Sequence, residues 1–277
     1  ASVPFASEII LVDSGSTDET AAIAAEFGAQ VVHHPWAGFG PQKAHAVSLA
    51  SNDWVLCLDA DEALSPRLAA SIQRAFTKGL PHYPVYRFAR CNVFMGRPLK
   101  HGEGYPDYNT RLFRKDAARW SDDIVHEHVL SDLPPRTLEG DLLHYSADDL
   151  KAYLDKQNRY TSLAAERAMA RGESAPLARM LLSPVTRFLK FWLVRGGWQD
   201  GLPGFVHIAI GCQNSFMKYV ELRELRRQAG LSLLEERPGV CLRVGDQPLQ
   251  IALTGAQCVR QVHQCSIFRR GVAKHAG

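Results

Sequence analysis

Two short apolar runs in this chain stop abruptly at a carboxylate, and that repeated pattern limits the available folds most. Glu8-Ile9-Ile10-Leu11-Val12 leads into Asp13, and Trp54-Val55-Leu56-Cys57-Leu58 leads into Asp59-Ala60-Asp61-Glu62. Runs of about five apolar residues bounded by turn residues suit buried strands better than helices. A helical pattern follows each of them. Ser16 with Glu19 three residues later fits a capping box, which predicts a helix over the Ala-rich Thr20–Phe27, ended by Gly28. A second strand is expected at Ala29–His33 and a second helix at Gln42–Ser51, behind a loop Gly38-Phe39-Gly40-Pro41. The third strand is expected at Asp53–Leu58, and a third helix at Pro66–Lys78 with Ser65 as its cap. Strands alternating with helices at this spacing predict βαβ units, hence an α/β fold with a mainly parallel, Rossmann-like sheet.

The pattern then changes. Val85–Phe94, Thr110–Arg114, Val125–Leu130 and Leu138–His144 are short and strand-like, with a Gly- and Tyr-rich loop at His101–Asn109. Helical sequence takes over at Asp148–Arg171, breaks at Ser174-Ala175-Pro176, and resumes at Leu177–Val194 and Phe205–Arg227. Three parts follow: a sheet domain over 1–147, a helical extension over 148–230, and a tail over 231–277 with no period and no assignable role. The net charge of +3 and the lack of a basic, aromatic-laced stripe argue against nucleic acid as a partner. The six cysteines, at 57, 91, 212, 241, 258 and 265, form no CxxC pair and read as free thiols. The N-terminal residues lack a basic and apolar leader, and no stretch reaches the ~18 apolar residues of a spanning helix. A cytoplasmic protein that can touch a membrane is the expectation.

Residues two apart in an extended chain point the same way. Asp59 and Asp61 can therefore face one ion, provided the strand stays extended past Leu58. Two hard oxygen ligands suit Mg²⁺ or Mn²⁺, which keep positions open for phosphate oxygens. The alternative is a pair of solvated acids in a turn. Asp13 ends the other apolar strand beside Gly15. In open α/β sheets ligands bind outside the carboxyl ends of strands, so the two acidic ends converge on one crevice. A carboxylate there can accept hydrogen bonds from a uracil or a ribose, or only cap a turn.

Three segments in order, Val12-Asp13-Ser14-Gly15-Ser16-Thr17-Asp18, Gly38-Phe39-Gly40-Pro41-Gln42-Lys43 and Leu58-Asp59-Ala60-Asp61-Glu62, resemble the family 2 glycosyltransferases of GT-A fold. The likeness is nearest to the lipopolysaccharide core type, which includes beta-1,4-glucosyltransferases, and runs from about Ser7 to about Arg227. It implies a GT-A-like sheet with a helical C-terminal extension. It also implies inverting transfer of a hexose, glucose in the nearest type, from a nucleotide-sugar such as a UDP-sugar to a lipid-linked or lipopolysaccharide core saccharide. Asp13, with Ser14 and Gly15, would meet the nucleotide; Lys43 would lie near the diphosphate. Asp59 and Asp61 would hold the ribose-diphosphate end through the metal, with His144 of Leu142-Leu143-His144-Tyr145 as a late metal or diphosphate ligand. Glu127 of Val125-His126-Glu127-His128 matches the family's His-Glu segment and would be the general base, with Asp123 and Asp122 as rivals. Arg111, and Arg114 beside it, would place a phosphate or line a sheet face.

Two departures stand out. Family members begin with a further strand that carries a Thr-x-Asn-Glu motif, and here the chain starts only a few residues before the strand that should come second. A start missing from the sequence, rather than a protein lacking that wall, is the expectation, because loss of a central strand exposes sheet edges. After the Gln-Lys pair this chain has Ala44 and His45 where the family often has Asn. Between Arg179 and Arg195 four basic residues lie among Leu, Phe and Trp with no acid. That mixture suits a helix in a membrane interface, which places the protein peripherally on the inner face of the cytoplasmic membrane. The same residues also suit a helical pair packed on the sheet. Two alternative functions are a sugar nucleotidyltransferase and an inactive, membrane-associated binding protein.

Overall fold

The computed structural model describes residues 3–77, 81–123, 126–145 and 149–233. These fall into two compact units, one built from residues up to 91 and from 106–145, the other from 92–105 and the chain after 145.

In the first unit, β1 (Ile10–Asp13), α1 (Thr20–Glu26) and β2 (Gln30–His33) form a βαβ turn whose strands pair in parallel, Ile10 opposite Gln30 through Asp13 opposite His33. α2 (Phe39–Leu49) starts three residues earlier than the sequence suggests. Gly38, at φ +105°, makes the turn into it, and Pro41 falls in the first helical turn, where a missing N–H costs nothing. The capping box at α1 is not formed. Ser16 gives its hydroxyl and its amide to Asp13 instead, while Glu19 takes the cap position and makes no side-chain capping bond to the helix. A carboxylate at a strand end is the stronger acceptor.

Six of the remaining strands build one sheet. β3 (Trp54–Leu56), β4 (Glu62–Leu64), β5 (Val85–Phe94), β7 (Asp107–Arg114) and β10 (Arg136–His144) run in the order β3-β7-β5-β10-β4, with the short β6 (Arg97–Pro98) on β5. A separate two-residue ladder joins β8 (Arg119–Trp120) to β9 (Val129–Leu130). The α/β class stands, and β1 pairs with β2 in parallel, but β3 with β7, β7 with β5 and β10 with β4 are antiparallel. The strand expected over Val125–Leu130 shrinks to β9. His126, at φ +70°, is not extended, and Val125 lies outside the described residues.

Alternation along the strands feeds two cores. Leu112, Tyr86, Phe88 and Leu142 meet Leu68 and Ile72 of α3 (Pro66–Phe76) on one face. On the other, Val55, Val85, Phe113 and Trp120 meet Ala44 and Val47 of α2. Each such side chain stabilises the unit by roughly 1.5–3 kcal/mol. Ser65 caps α3 as expected, accepting from the Leu68 amide at 3.2 Å and also from Asp141 N of β10. β10 approaches α3 so closely that a Cβ on Gly140 would stand 2.3 Å from Leu68 N. Among the described residues, β1 and β3 each keep one edge without a strand partner. A cavity of about 640 Å³, lined by Ile10, Val47, Trp54, Leu56 and Phe76 among others, lies along these strands.

The second unit is helical. α4 (Leu150–Ala170) is capped by Asp149, which accepts from Ala152 N at 2.7 Å. α5 (Leu177–Phe188) runs on as a π-helical stretch, Leu189–Val194, so the helix predicted over Leu177–Val194 is present with a widened final part. A 3-10 turn, Gly197–Asp200, leads into α6 (Gly201–Gln228). Buried Arg226 ties the end of α6 to the carbonyls of Glu173 and Ser232. Among the described residues no helix is long and apolar enough to cross a membrane. Cys57, Cys91 and Cys212 are free thiols; the other three cysteines lie outside the described residues.

Candidate active site

The site grows from strand ends of the first unit. Asp13 closes β1, and its carboxylate accepts from the amides of Gly15 and Ser16, at 3.0 and 3.1 Å. Partial burial pushes its pKa up, but bonds from the Ser16 hydroxyl and the two amides, with His33 nearby, outweigh that and hold it below the ordinary value. Asp13 is thus an ionised acceptor at the mouth of a Gly-containing turn. Gln42 fixes the next residue: buried on α2, its Nε2 donates to Ser14 Oγ at 2.9 Å, and its Oε1 meets His34 Nδ1 at 3.0 Å. His34 stacks on His45, with ring centroids 4.0 Å apart.

One residue further along α2, Lys43 joins two parts of the chain that are distant in sequence. Its ammonium lies 2.7 Å from Asp59 Oδ1 and 2.6 Å from Glu127 Oε1, above the ring of Trp120. The other Asp59 oxygen accepts from Arg111 Nη2 at 2.9 Å, and Arg111 Nη2 also donates to Glu62 Oε1 at 3.0 Å. The Glu62 side chain is fully buried, and its second oxygen accepts from the Asp59 amide at 3.0 Å. Arg90, paired with Asp107, stands 4.0 Å from Glu62 on the far side. Burial lowers the pKa of Arg111, and the charges of Glu62 and Asp59 more than reverse that, so it stays cationic. The result is an alternating chain of charges, Glu127, Lys43, Asp59, Arg111 and Glu62, with Trp120 under both cations. Beneath it Cys57, which accepts from Trp120 Nε1, is driven by burial to a pKa of about 11 and is no nucleophile.

Asp61 belongs elsewhere. β3 ends at Leu56, and the chain turns at Ala60 and Asp61 before β4, so Asp59 and Asp61 do not share the one direction that an extended strand would give them. The antiparallel register that sets His144 of β10 opposite Glu62 of β4 brings His144 Nε2 within 3.1 Å of Asp61 Oδ2. Cis ligands of an octahedral ion at 2.0–2.1 Å are about 3 Å apart, so this oxygen and nitrogen fit two corners of one Mg²⁺- or Mn²⁺-like site. Among the described residues no group of three or more His, Cys, Asp or Glu side chains is gathered for a metal.

Asp123, the rival of Glu127, stays outside the charge network: it is half-exposed, with His128 Nδ1 3.5 Å away. Asp122 is exposed too, and Arg114 pairs with Asp116 away from the network. The backbone of Asp123 matters more. Its carbonyl accepts from Gly40 N at 3.1 Å, and a Cβ on Gly40 would lie 2.2 Å from the Ser121 carbonyl and 2.7 Å from that of Asp123. Gly40 therefore lets the start of α2 meet the 121–123 segment, which leads on to Glu127. Sequence reading singled out neither Gly40, Gln42, Glu62 nor Trp120 as working parts. Glu62 and Gln42 carried a signal, as polar residues next to the strand-end acids and the lysine, but their burial is a tertiary fact.

Residues 5–131 match the family described as glycosyl transferase family 2. An uncharacterized glycosyltransferase of Rickettsia prowazekii (strain Madrid E) is 32% identical over 228 residues, covering 79% of this chain and 78% of its own. The lipopolysaccharide core biosynthesis glycosyltransferase LpsC of Rhizobium meliloti (strain 1021) is 28% identical over 246 residues, 84% of this chain and 86% of that one. Among solved structures, S. aureus TarS 1-349 in complex with UDP-GlcNAc aligns over 81% of this chain and 83% of that one, at 14% identity and a TM-score of 0.34. The chain belongs to glycosyl transferase family 2.

Proposed function

We propose that this family 2 glycosyltransferase moves a hexose, glucose by preference, from a UDP-sugar to a lipid-linked saccharide of the lipopolysaccharide core type, at the inner face of the cytoplasmic membrane. One observation carries the reading: Lys43 gathers Asp59 of the strand-end motif and Glu127, 84 residues away in sequence, onto one ammonium. That junction supports reading Glu127 as the base, near the strand-end acids where a nucleotide diphosphate would sit.

In this reading Asp13, with the Ser14-Gly15 turn, receives the nucleoside. Asp61 and His144 would hold Mg²⁺ or Mn²⁺, which when bound neutralises charge on the departing diphosphate. Arg111 and Glu62 keep Asp59 in place, and Lys43 orients both Asp59 and Glu127. Glu127 takes the proton of the acceptor hydroxyl as that oxygen attacks the anomeric carbon. The bond to the diphosphate oxygen breaks on the opposite face, so the anomeric centre inverts. Similarity to LpsC, named for lipopolysaccharide core biosynthesis, supports the acceptor class.

Glu127→Gln is the test. It keeps the shape and a hydrogen bond to Lys43 but cannot take a proton. The expected result is UDP-sugar binding within twofold of the parent by calorimetry, and transfer reduced by roughly 10²–10⁴-fold. If Glu127→Gln transfers normally and Asp123→Asn does not, the base is Asp123.

A further inference from the structure

The outer face of α5 is apolar where a water-facing helix is ordinarily polar. Leu177, Leu181, Val185 and Leu189 follow one another at four-residue intervals, and all are exposed, as is Leu182 beside them at 59%. The π-helical stretch and the turn after it extend the pattern through Leu193, Val194 at 82%, Trp198 at 57% and Leu202 at 66%. Phe205 at the start of α6 packs edge-on against Trp192, which stacks on Phe188, so the beginning of α6 adjoins the same end of the helix. So many neighbouring exposed apolar residues mark an interaction surface rather than ordinary scatter.

Charge says what kind of partner fits. From Ser174 to Gln199 the chain has no Asp or Glu. Exposed Arg179, Lys190 and Arg195 lie along it, while Arg187 turns inward to Glu103 and Ser215. The acids at its two ends are engaged within the fold: Glu173 pairs with Arg171 and Lys218, and buried Asp200 accepts from the His101 amide at 2.8 Å. A surface of leucine, valine and tryptophan with basic residues and no acidic ones is complementary to a bilayer carrying negative headgroups. No described helix can cross that bilayer, so the contact is along its surface.

We infer that the outer face of α5, with the π-helical stretch and the first turn of α6, seats this unit on an anionic membrane surface, its leucines and Trp198 among the acyl chains and Lys190 and Arg195 at the headgroups. This names the surface that a lipid-linked acceptor would require and rests on that reading for its purpose. The binding is measured without donor or acceptor, so loss of one leaves the other standing.

The experiment is co-flotation of the full chain with vesicles of phosphatidylcholine and phosphatidylglycerol, against phosphatidylcholine alone, at low and high salt. The expected result is flotation with the anionic vesicles, at least about tenfold weaker on neutral ones and weakened by salt. Leu182→Asp/Leu189→Asp changes two exposed positions, so it should keep the parent circular dichroism and lose about tenfold or more of the partitioning. Three outcomes overturn the inference: the parent stays unbound with both vesicle types; the double variant floats like the parent; or light scattering finds a dimer that the double variant splits, which assigns the face to a second copy of the chain.

Discussion

Replacing Arg111 by methionine tests the charge network most directly. Arg111 Nη2 lies 2.9 Å from Asp59 and 3.0 Å from Glu62, and its side chain is 6% exposed. A pair of unit charges 3 Å apart interacts by roughly 5 kcal/mol at an effective dielectric of 20, most of it offset by the cost of taking both ions out of water. Intact, the pair contributes little net stability. Broken, it leaves the Glu62 carboxyl without its close cation at 0% exposure, with Arg90 no nearer than 4.0 Å. Removing one partner of a buried pair costs about 3–5 kcal/mol, a large fraction of the 5–15 kcal/mol that holds a domain folded. Arg111→Met should therefore lower the unfolding free energy by about 3–5 kcal/mol. Glu62→Gln, which keeps an acceptor for the Asp59 amide, should cost less. Arg111→Met/Glu62→Gln together should cost less than the sum, with a coupling of about 1–3 kcal/mol. Urea titrations followed by far-ultraviolet and near-ultraviolet circular dichroism measure this, the near-ultraviolet band reporting the Trp54 and Trp120 surroundings. A cost below about 1 kcal/mol for Arg111→Met, or a coupling below about 0.5 kcal/mol, refutes the argument that this arginine neutralises a buried acid.

Gly40→Ala drives a methyl into the carbonyls of Ser121 and Asp123, and the expected loss is about 1–3 kcal/mol of stability together with about 10²-fold in transfer rate, since Glu127 hangs on the displaced segment. Thermal unfolding and initial rates check it, and a variant with parent activity would mean that the segment is free to shift. Asp61→Ala should abolish the Mn²⁺-induced rise in melting temperature of the protein with UDP-sugar while leaving metal-free nucleotide binding in place; an unchanged metal response removes Asp61 from the ion site.

The parts that were legible in the sequence are local. Short apolar runs, turn residues and helix periods placed β1, β2, β5 and β10 within a residue or two, and Ser65-Pro66 marked the start of α3 correctly. The same local logic failed where a distant group offered a better bond. Ser16 left its helix for Asp13, and Asp59 turned to Lys43 and Arg111. Pairing direction was read wrongly for the main sheet because periodicity reports burial, not which edge a strand joins.

By itself the sequence determined that this chain is an α/β protein with acidic strand ends, and its three ordered motifs carried the family. Backbone period and turn chemistry are properties of neighbours, so they survive without coordinates. Which carboxylate serves which partner was decided only by the tertiary structure. β10 lies antiparallel to β4, and that register hands Asp61 to His144; α2 approaches the 121–123 segment through Gly40, and that contact accompanies the pairing of Glu127 with Lys43. The alanine between Asp59 and Asp61 looks like a spacer in the sequence. In the fold it is the turn that separates one carboxylate held by cations from one beside a histidine.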